Sequence, residues 1–76
     1  MVFEKVRKLL AEQLFADEND ITMETDLVKD LNADSLDMVQ LLILMEKEYG
    51  LTFTDEQMKS VKTVGDVVGY IENAVN

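Results

Sequence analysis

The residues with the most obvious chemical potential lie in one acidic stretch, where Ser35 stands between Asp34 and Asp37. A serine hydroxyl can attack a substrate, accept a covalent group or cap a helix. Attack on a substrate requires a neighbouring base, and the chain contains neither histidine nor cysteine. Their absence also excludes disulfides, zinc fingers and imidazole-dependent triads. We therefore expect no independent catalytic activity, and we expect Ser35 either to cap a helix or to carry a modification.

The same stretch places oxygen-bearing side chains at the spacing of a calcium loop. Asp30, Asn32 and Asp34 match the first, third and fifth positions of an EF-hand. The sixth position requires glycine and is Ser35, and the twelfth requires a bidentate glutamate and is Leu41. We therefore predict no dedicated metal site, while weak, non-specific binding of divalent cations stays open.

The net charge of −9 is concentrated in one part of the chain. Residues 1–11 carry +2, residues 12–37 carry −8 and residues 38–76 carry −3. This acidic field repels nucleic acid and anionic lipid and favours basic protein surfaces. The first residues contain no long apolar region, so we expect no secretory signal, and the longest apolar run has five residues, against the roughly 20 that a membrane helix needs. We expect a free-standing cytoplasmic protein that neither binds nucleic acid nor inserts into a membrane.

Two helices and a long loop are predicted to position the acidic stretch. Residues 2–15 show helical periodicity, residues 16–34 show none and predict an ordered loop, and residues 35–49 predict a second helix that stops at Gly50. The apolar face of the first helix consists of Phe3, Val6, Leu10 and Leu14. The apolar residues expected to pin the loop to the core are Ile21, Leu27, Val28 and Leu31.

The C-terminal third predicts a short helix and a longer one. Thr54 begins a start signal for the short helix, and Thr63 with Asp66 forms a capping-box pattern for the last. The apolar positions of the last helix are Val64, Val67, Val68, Ile71 and Val75. The predicted fold is therefore all-α, a single domain over residues 1–76 with three main helices, one short helix and a long first loop.

The second helix is more apolar than one buried face requires. At about 100° per residue, five residues form a sufficient core face, namely Met38, Leu41, Leu42, Met45 and Tyr49. This leaves Leu36, Val39 and Ile43 on one shoulder of the helix. The shoulder could be a wide core stripe or a docking patch beside Ser35.

The sequence LVKDLNADSLD, residues 27–37, resembles the signature of acyl carrier proteins, in which a serine after an acidic loop opens the second helix. The similarity continues through Thr54-Asp55-Glu56 and through residues 62–66. It implies a small four-helix acyl-carrier bundle of the free-standing, bacterial type II form. It also implies a carrier and not an enzyme.

The resemblance implies that Ser35 carries 4′-phosphopantetheine, delivered from coenzyme A by a phosphopantetheinyl transferase, with Asp34 and Leu36 assisting at the cofactor site. The arm would hold growing acyl chains as thioesters and shuttle them among fatty-acid synthesis enzymes with basic docking patches, a task that suits a monomer. The implied acidic docking residues are Asp37, Glu46 and Glu48, beside the shoulder residues. The implied lining of the acyl pocket is Val6, Leu42, Met45, Val61 and Val67.

Three positions depart from the family pattern. Gln40 and Lys47 stand where carriers of bacterial fatty-acid synthesis commonly have acids, and Asn32 stands where glycine is frequent. Asparagine tolerates a left-handed backbone, so attachment at Ser35 is unaffected. The first two changes leave two alternatives open: a carrier for a specialised polyketide or aminoacyl pathway, and an unmodified acidic adaptor.

Overall fold

The computed structural model describes residues 2–75, which form four α-helices and one 3₁₀ turn. The helices are α1 (Val2–Leu14), α2 (Ser35–Tyr49), α3 (Asp55–Ser60) and α4 (Val64–Val75), and the 3₁₀ turn spans Glu18–Asp20. No β-strand occurs within the described residues, so the all-α prediction is confirmed. The 3₁₀ turn lies in the long loop and was not foreseen.

Helices α1 and α2 run antiparallel. Lys5, near the start of α1, forms an ion pair with Glu48 near the end of α2, and Gln13 of α1 and Gln40 of α2 border the same groove. The core between the helices is closed by side chains that are almost entirely buried. Its largest members are Leu10, Ile21, Leu27, Leu42, Met45 and Ile71.

Helix α1 ends one residue earlier than its periodicity predicts. Phe15 takes a left-handed backbone conformation with φ of 54°, and the Ala16 N–H donates to the Ala11 carbonyl at 3.0 Å. This bond is the helix-ending pattern that usually places glycine at the left-handed position. The Phe15 side chain, which then leaves the helical face, is 96% exposed.

The long loop is fastened to the start of α4. The Leu27 N–H donates to the Lys62 carbonyl at 2.9 Å, and the Gly65 N–H donates to the Met23 carbonyl at 2.8 Å. A Cβ at position 65 would lie 3.0 Å from that carbonyl oxygen, so the close approach favours glycine. The second of these bonds satisfies one of the N–H groups that the start of α4 leaves without a helical partner.

Two apolar residues predicted to be buried are instead exposed. Ile21 and Leu27 are buried and Leu31 is half-buried, but Val28, which lies in a tight turn and borders an open pocket, is 54% exposed. Asp26 closes that turn by accepting the N–H groups of Val28 and of the residue after it at 2.9 and 2.8 Å. Val75, at the end of α4, is also exposed.

Candidate functional site

Ser35 is the first residue of α2 and does not cap it. The Asp34 carboxylate accepts the Asp37 N–H at 2.8 Å, and the Asp37 carboxylate accepts the Asp34 N–H at 3.2 Å. These reciprocal bonds form a complete capping box with Asp34 as the N-cap. The prediction of Ser35 as a cap is therefore wrong, because its neighbour on the N-terminal side already performs that function.

The Ser35 side chain is exposed, and its hydroxyl makes no hydrogen bond within residues 2–75. The N–H groups of Ser35 and Leu36 belong to the first turn, where no helical carbonyl precedes them. A helix N-terminus of this kind carries positive dipole potential and favours a bound phosphate group. The position therefore suits a serine that bears a phosphodiester.

Asn32 allows the chain to change direction between the acidic loop and α2. Its φ is 59°, and the Ala33 N–H behind it donates to the Leu27 carbonyl at 3.0 Å. Asn32 thus takes the left-handed conformation that its residue type favours, as expected. Of the oxygen-bearing residues at calcium-loop spacing, Asp34 caps α2 and Asp30 accepts the Asp26 N–H at 2.8 Å.

A pocket of about 400 Å³ opens beside Ser35, between α2 and α3. Asp55 and Lys59 are its charged members. The apolar wall consists of Val28, Met38, Val39, Leu42, Met58 and Val61. The site thus combines an exposed serine with an apolar cavity next to it.

The pocket lining differs from the predicted set. Leu42 and Val61 lie in the wall, whereas Val6, Met45 and Val67 are at most 3% exposed and lie in the closed core among the helices. Periodicity identifies the buried side of a helix but not whether a cavity or another helix faces it. Met58 and Lys59 were missed because α3 is too short to show a period.

The apolar shoulder of α2 faces outward. Leu36 is 64% exposed, Val39 44% and Ile43 40%. The alternative of a wide core stripe is therefore wrong for these three residues. Gln40 and Lys47 are also exposed on this helix.

The three acids expected to dock partners all have partners within the protein. Asp37 belongs to the capping box, Glu46 accepts the Phe53 N–H at 2.7 Å, and Glu48 pairs with Lys5. The Glu48 carboxylate raises the pKa of the Lys5 ammonium through their hydrogen bond and their opposite charges. Each of these bonds uses one carboxylate oxygen, so the other oxygen can still accept from a basic partner.

No helix among the described residues is both long enough and apolar enough to cross a bilayer. This finding agrees with the short apolar runs of the sequence.

Comparison with known proteins identifies the class of protein to which the chain belongs. The profile described as "Phosphopantetheine attachment site" matches residues 4–71 of the chain. The class is therefore a carrier that bears 4′-phosphopantetheine and is not itself an enzyme.

Individual relatives identify the family within this class of carrier proteins. An acyl carrier protein of Clostridium acetobutylicum is 47% identical over 72 residues, which cover 95% of this chain and 94% of that protein. One of Coprothermobacter proteolyticus is 46% identical over 95% of this chain and 88% of that protein. The solved acyl carrier protein of Enterococcus faecalis superposes with a TM-score of 0.84 at 30% identity, covering 96% of this chain and 92% of that structure. The chain belongs to the acyl carrier protein family, whose members carry acyl chains and interact with synthesis enzymes.

Proposed function

We propose that Ser35 is the residue that bears 4′-phosphopantetheine. The observation that carries this proposal is the exposed, unbonded hydroxyl on the first turn of α2, with a complete capping box formed around it by Asp34 and Asp37. Because the serine is not needed to hold the helix, esterification of its hydroxyl leaves the local structure unchanged. The prosthetic group, when bound, supplies the thiol that holds acyl chains as thioesters.

The pocket beside Ser35 is the proposed shelter for the acyl chain. Its wall is mostly apolar, and residues of α2 and α3 contribute to it. Burial of a methylene group is worth about 0.8 kcal/mol, so even a few carbons would favour the sheltered state. Leu42 and Val61 retain the lining role that the sequence suggested for them.

The apolar shoulder of α2 is the proposed docking surface for partner enzymes. Leu36, Val39 and Ile43 form an exposed strip beginning next to Ser35. The net charge of −8 over residues 12–37 surrounds its start and complements a basic patch. An interaction of this type is rapid and sensitive to salt, which suits a carrier that leaves each enzyme after each step.

The proposed pathway is fatty-acid biosynthesis in the cytoplasm. The carrier, a monomeric single domain, would meet a phosphopantetheinyl transferase and then the acyltransferase, synthase, reductase and dehydratase enzymes. A carrier for a specialised polyketide or aminoacyl pathway is the second candidate, because Gln40 and Lys47 make the exposed side of α2 less acidic. Acceptance of the loaded protein by a reconstituted fatty-acid synthase separates the two candidates.

The site assignment is tested by intact mass before and after incubation with coenzyme A and a broad-specificity phosphopantetheinyl transferase. The wild type should gain one phosphopantetheine, and Ser35→Ala should gain none. Since Ser35 is not the N-cap, its replacement should change the free energy of unfolding by at most about 0.5 kcal/mol. Ser60→Ala, which removes the only other serine, is the matched control and should load normally.

Two outcomes contradict the proposal. Loading of Ser35→Ala would place the attachment elsewhere in the chain. Absence of an adduct on a folded wild type, before and after incubation, would favour an unmodified acidic adaptor.

A further inference from the structure

Phe15 is exposed at a position where an aromatic residue is unfavourable in two ways. Its side chain is 96% exposed, so nearly the whole ring lies in water. Its φ of 54° is a left-handed conformation that favours glycine over bulky side chains. Glycine would end α1 at lower free energy, so neither local folding nor packing accounts for this ring.

The antiparallel register places Phe15 at the functional end of α2. Lys5 pairs with Glu48, and Gln13 and Gln40, eight residues after Lys5 and eight before Glu48, border one groove. Eight residues correspond to about 12 Å in both helices, so the register is constant over this distance. Two residues beyond Gln13, Phe15 lies level with the first turn of α2, which carries Ser35.

Phe15 and Ser35 lie on different sides of α2 but within the reach of one interface. Gln40 faces the groove with α1, whereas Ser35 borders the pocket next to α3. A helix with its side chains is about 10–12 Å wide. A partner that covers about 800 Å² can therefore contact Ser35, Leu36 and the Phe15 ring at the same time.

The charges beside the ring indicate the chemistry of such a partner. The turn after Phe15 carries Asp17, Glu18 and Asp20, and all three side chains are exposed. None of them pairs with a cationic side chain in the part of the chain that the structure describes. An exposed aromatic ring next to free carboxylates complements an apolar socket bordered by arginine or lysine.

We propose that Phe15 and the acidic turn after it form a second contact site for the phosphopantetheinyl transferase, in addition to the α2 surface. This inference rests on the proposed attachment at Ser35. The transferase must bring coenzyme A to the Ser35 hydroxyl itself, so its surface lies over this end of the bundle. Enzymes that act on the acyl chain meet the thiol at the far end of the arm and can bind further away.

The test is steady-state loading of the apo protein with coenzyme A by a bacterial phosphopantetheinyl transferase, with the carrier as the varied substrate. Phe15→Gly should raise the KM for the carrier about five- to tenfold and leave kcat within about twofold, as expected for a lost interface anchor. The same variant should raise the Tm by about 5 °C, because it relieves the left-handed strain. A more stable protein that is a poorer substrate cannot be explained by damage to the fold.

Three further variants test the nature of the contact. Phe15→Leu should restore much of the wild-type KM, and the double variant Glu18→Gln, Asp20→Asn should make the KM less dependent on salt. Val75→Ala, which trims another exposed apolar residue, is the matched control and should leave the KM unchanged.

An unchanged KM in Phe15→Gly, or an equal rise in Val75→Ala, overturns the proposal. Wild-type self-association that Phe15→Gly abolishes in sedimentation velocity would assign the ring to a second copy of this chain and also overturn it. The proposed function fails through a different result, the loading of the Ser35→Ala variant. A wild type that does not load overturns both proposals.

Discussion

At the scale of single residues, the capping box determines what Ser35 can do. Asp34 and Asp37 satisfy each other's N–H groups at the start of α2, so the hydroxyl between them carries no structural bond. Had the serine been the cap, esterification would have weakened the oxygen acceptor that holds the helix start. The order Asp-Ser thus leaves the serine hydroxyl available for the proposed attachment.

Asp66 performs a similar capping function at the start of α4. Its ionisation makes the stability of the fold depend on pH. Its carboxylate accepts the Lys62 N–H at 2.9 Å and the Thr63 N–H at 3.1 Å. These two bonds lower the pKa of the Asp66 carboxyl, and the bond from Lys62 has the larger effect. The pKa is therefore lower in the folded state than in the unfolded state, where it is about 3.9.

The stabilisation from Asp66 is fully present above the unfolded pKa and is lost as the pH falls through the lower folded pKa. We expect Asp66→Asn to reduce the Tm at neutral pH, and the difference from the wild type to shrink as the pH falls from about 5 toward 2. Thermal unfolding followed by circular dichroism measures this difference. Glu72→Gln, which removes a charge from an exposed position of α4, controls for net charge. A difference that stays constant with pH would contradict the role of the two backbone bonds.

At the scale of elements, α3 depends on its neighbours for its structure. With six residues it is too short to be stable alone. Its start is held by the capping box of Thr54 and Gln57, and its end by a 2.6 Å hydrogen bond between the Ser60 and Tyr70 hydroxyls. Since the single Ser60 proton is donated to the Gln57 carbonyl, Tyr70 is the donor to Ser60.

Tyr70→Phe should loosen α3 without unfolding the bundle. The variant removes the bond to Ser60 but keeps the ring, whose edge-to-face contact with Phe53 has a centroid distance of 6.5 Å. We expect a loss of at most about 1 kcal/mol in the free energy of unfolding, because the bond is exposed. Amide hydrogen exchange of residues 55–60 should quicken. Tyr49→Phe is the control, and equal exchange in both variants would show that the hydroxyl pair does not hold the pocket wall.

The element bounds were largely predictable from the sequence, whereas the site's surroundings were not. Capping residues and Gly50 set the helix ends through contacts with residues nearby in the sequence. The start and end of α2 could therefore be predicted from a few neighbouring residues. The exposure of Val28 depends on turn geometry, and the pocket depends on which helices face each other. The left-handed Phe15 violates the residue preference on which prediction relies, as functional sites often do.

At the scale of the whole molecule, the charge of −9 is held within a radius of gyration of 11.1 Å. Most carboxylates also lack a cationic neighbour, since the Lys5–Glu48 pair is the single ion pair in residues 2–75. Net repulsion of this kind destabilises a compact state and is weakened by salt.

We therefore expect the Tm to rise by several degrees when sodium chloride is increased from a low to a physiological concentration or beyond. A variant that neutralises Glu18, Asp20 and Glu24 to the corresponding amides should start at a higher Tm and respond less to salt. Scanning calorimetry over a salt series tests both statements. A Tm independent of ionic strength in the wild type would mean that the charges are too far apart to matter.

The bonds that tie the loop to α4 also set an order of folding. Leu27 and Lys62 are 35 positions apart, so their hydrogen bond closes a ring of chain that contains Ser35, α2 and α3. Closing such a ring costs about 3 kcal/mol in chain entropy. Contacts within single helices form at far lower cost, so helices precede this closure as the chain folds. Because the residues that line the pocket lie inside the ring, we expect the pocket to be completed only when this bond closes.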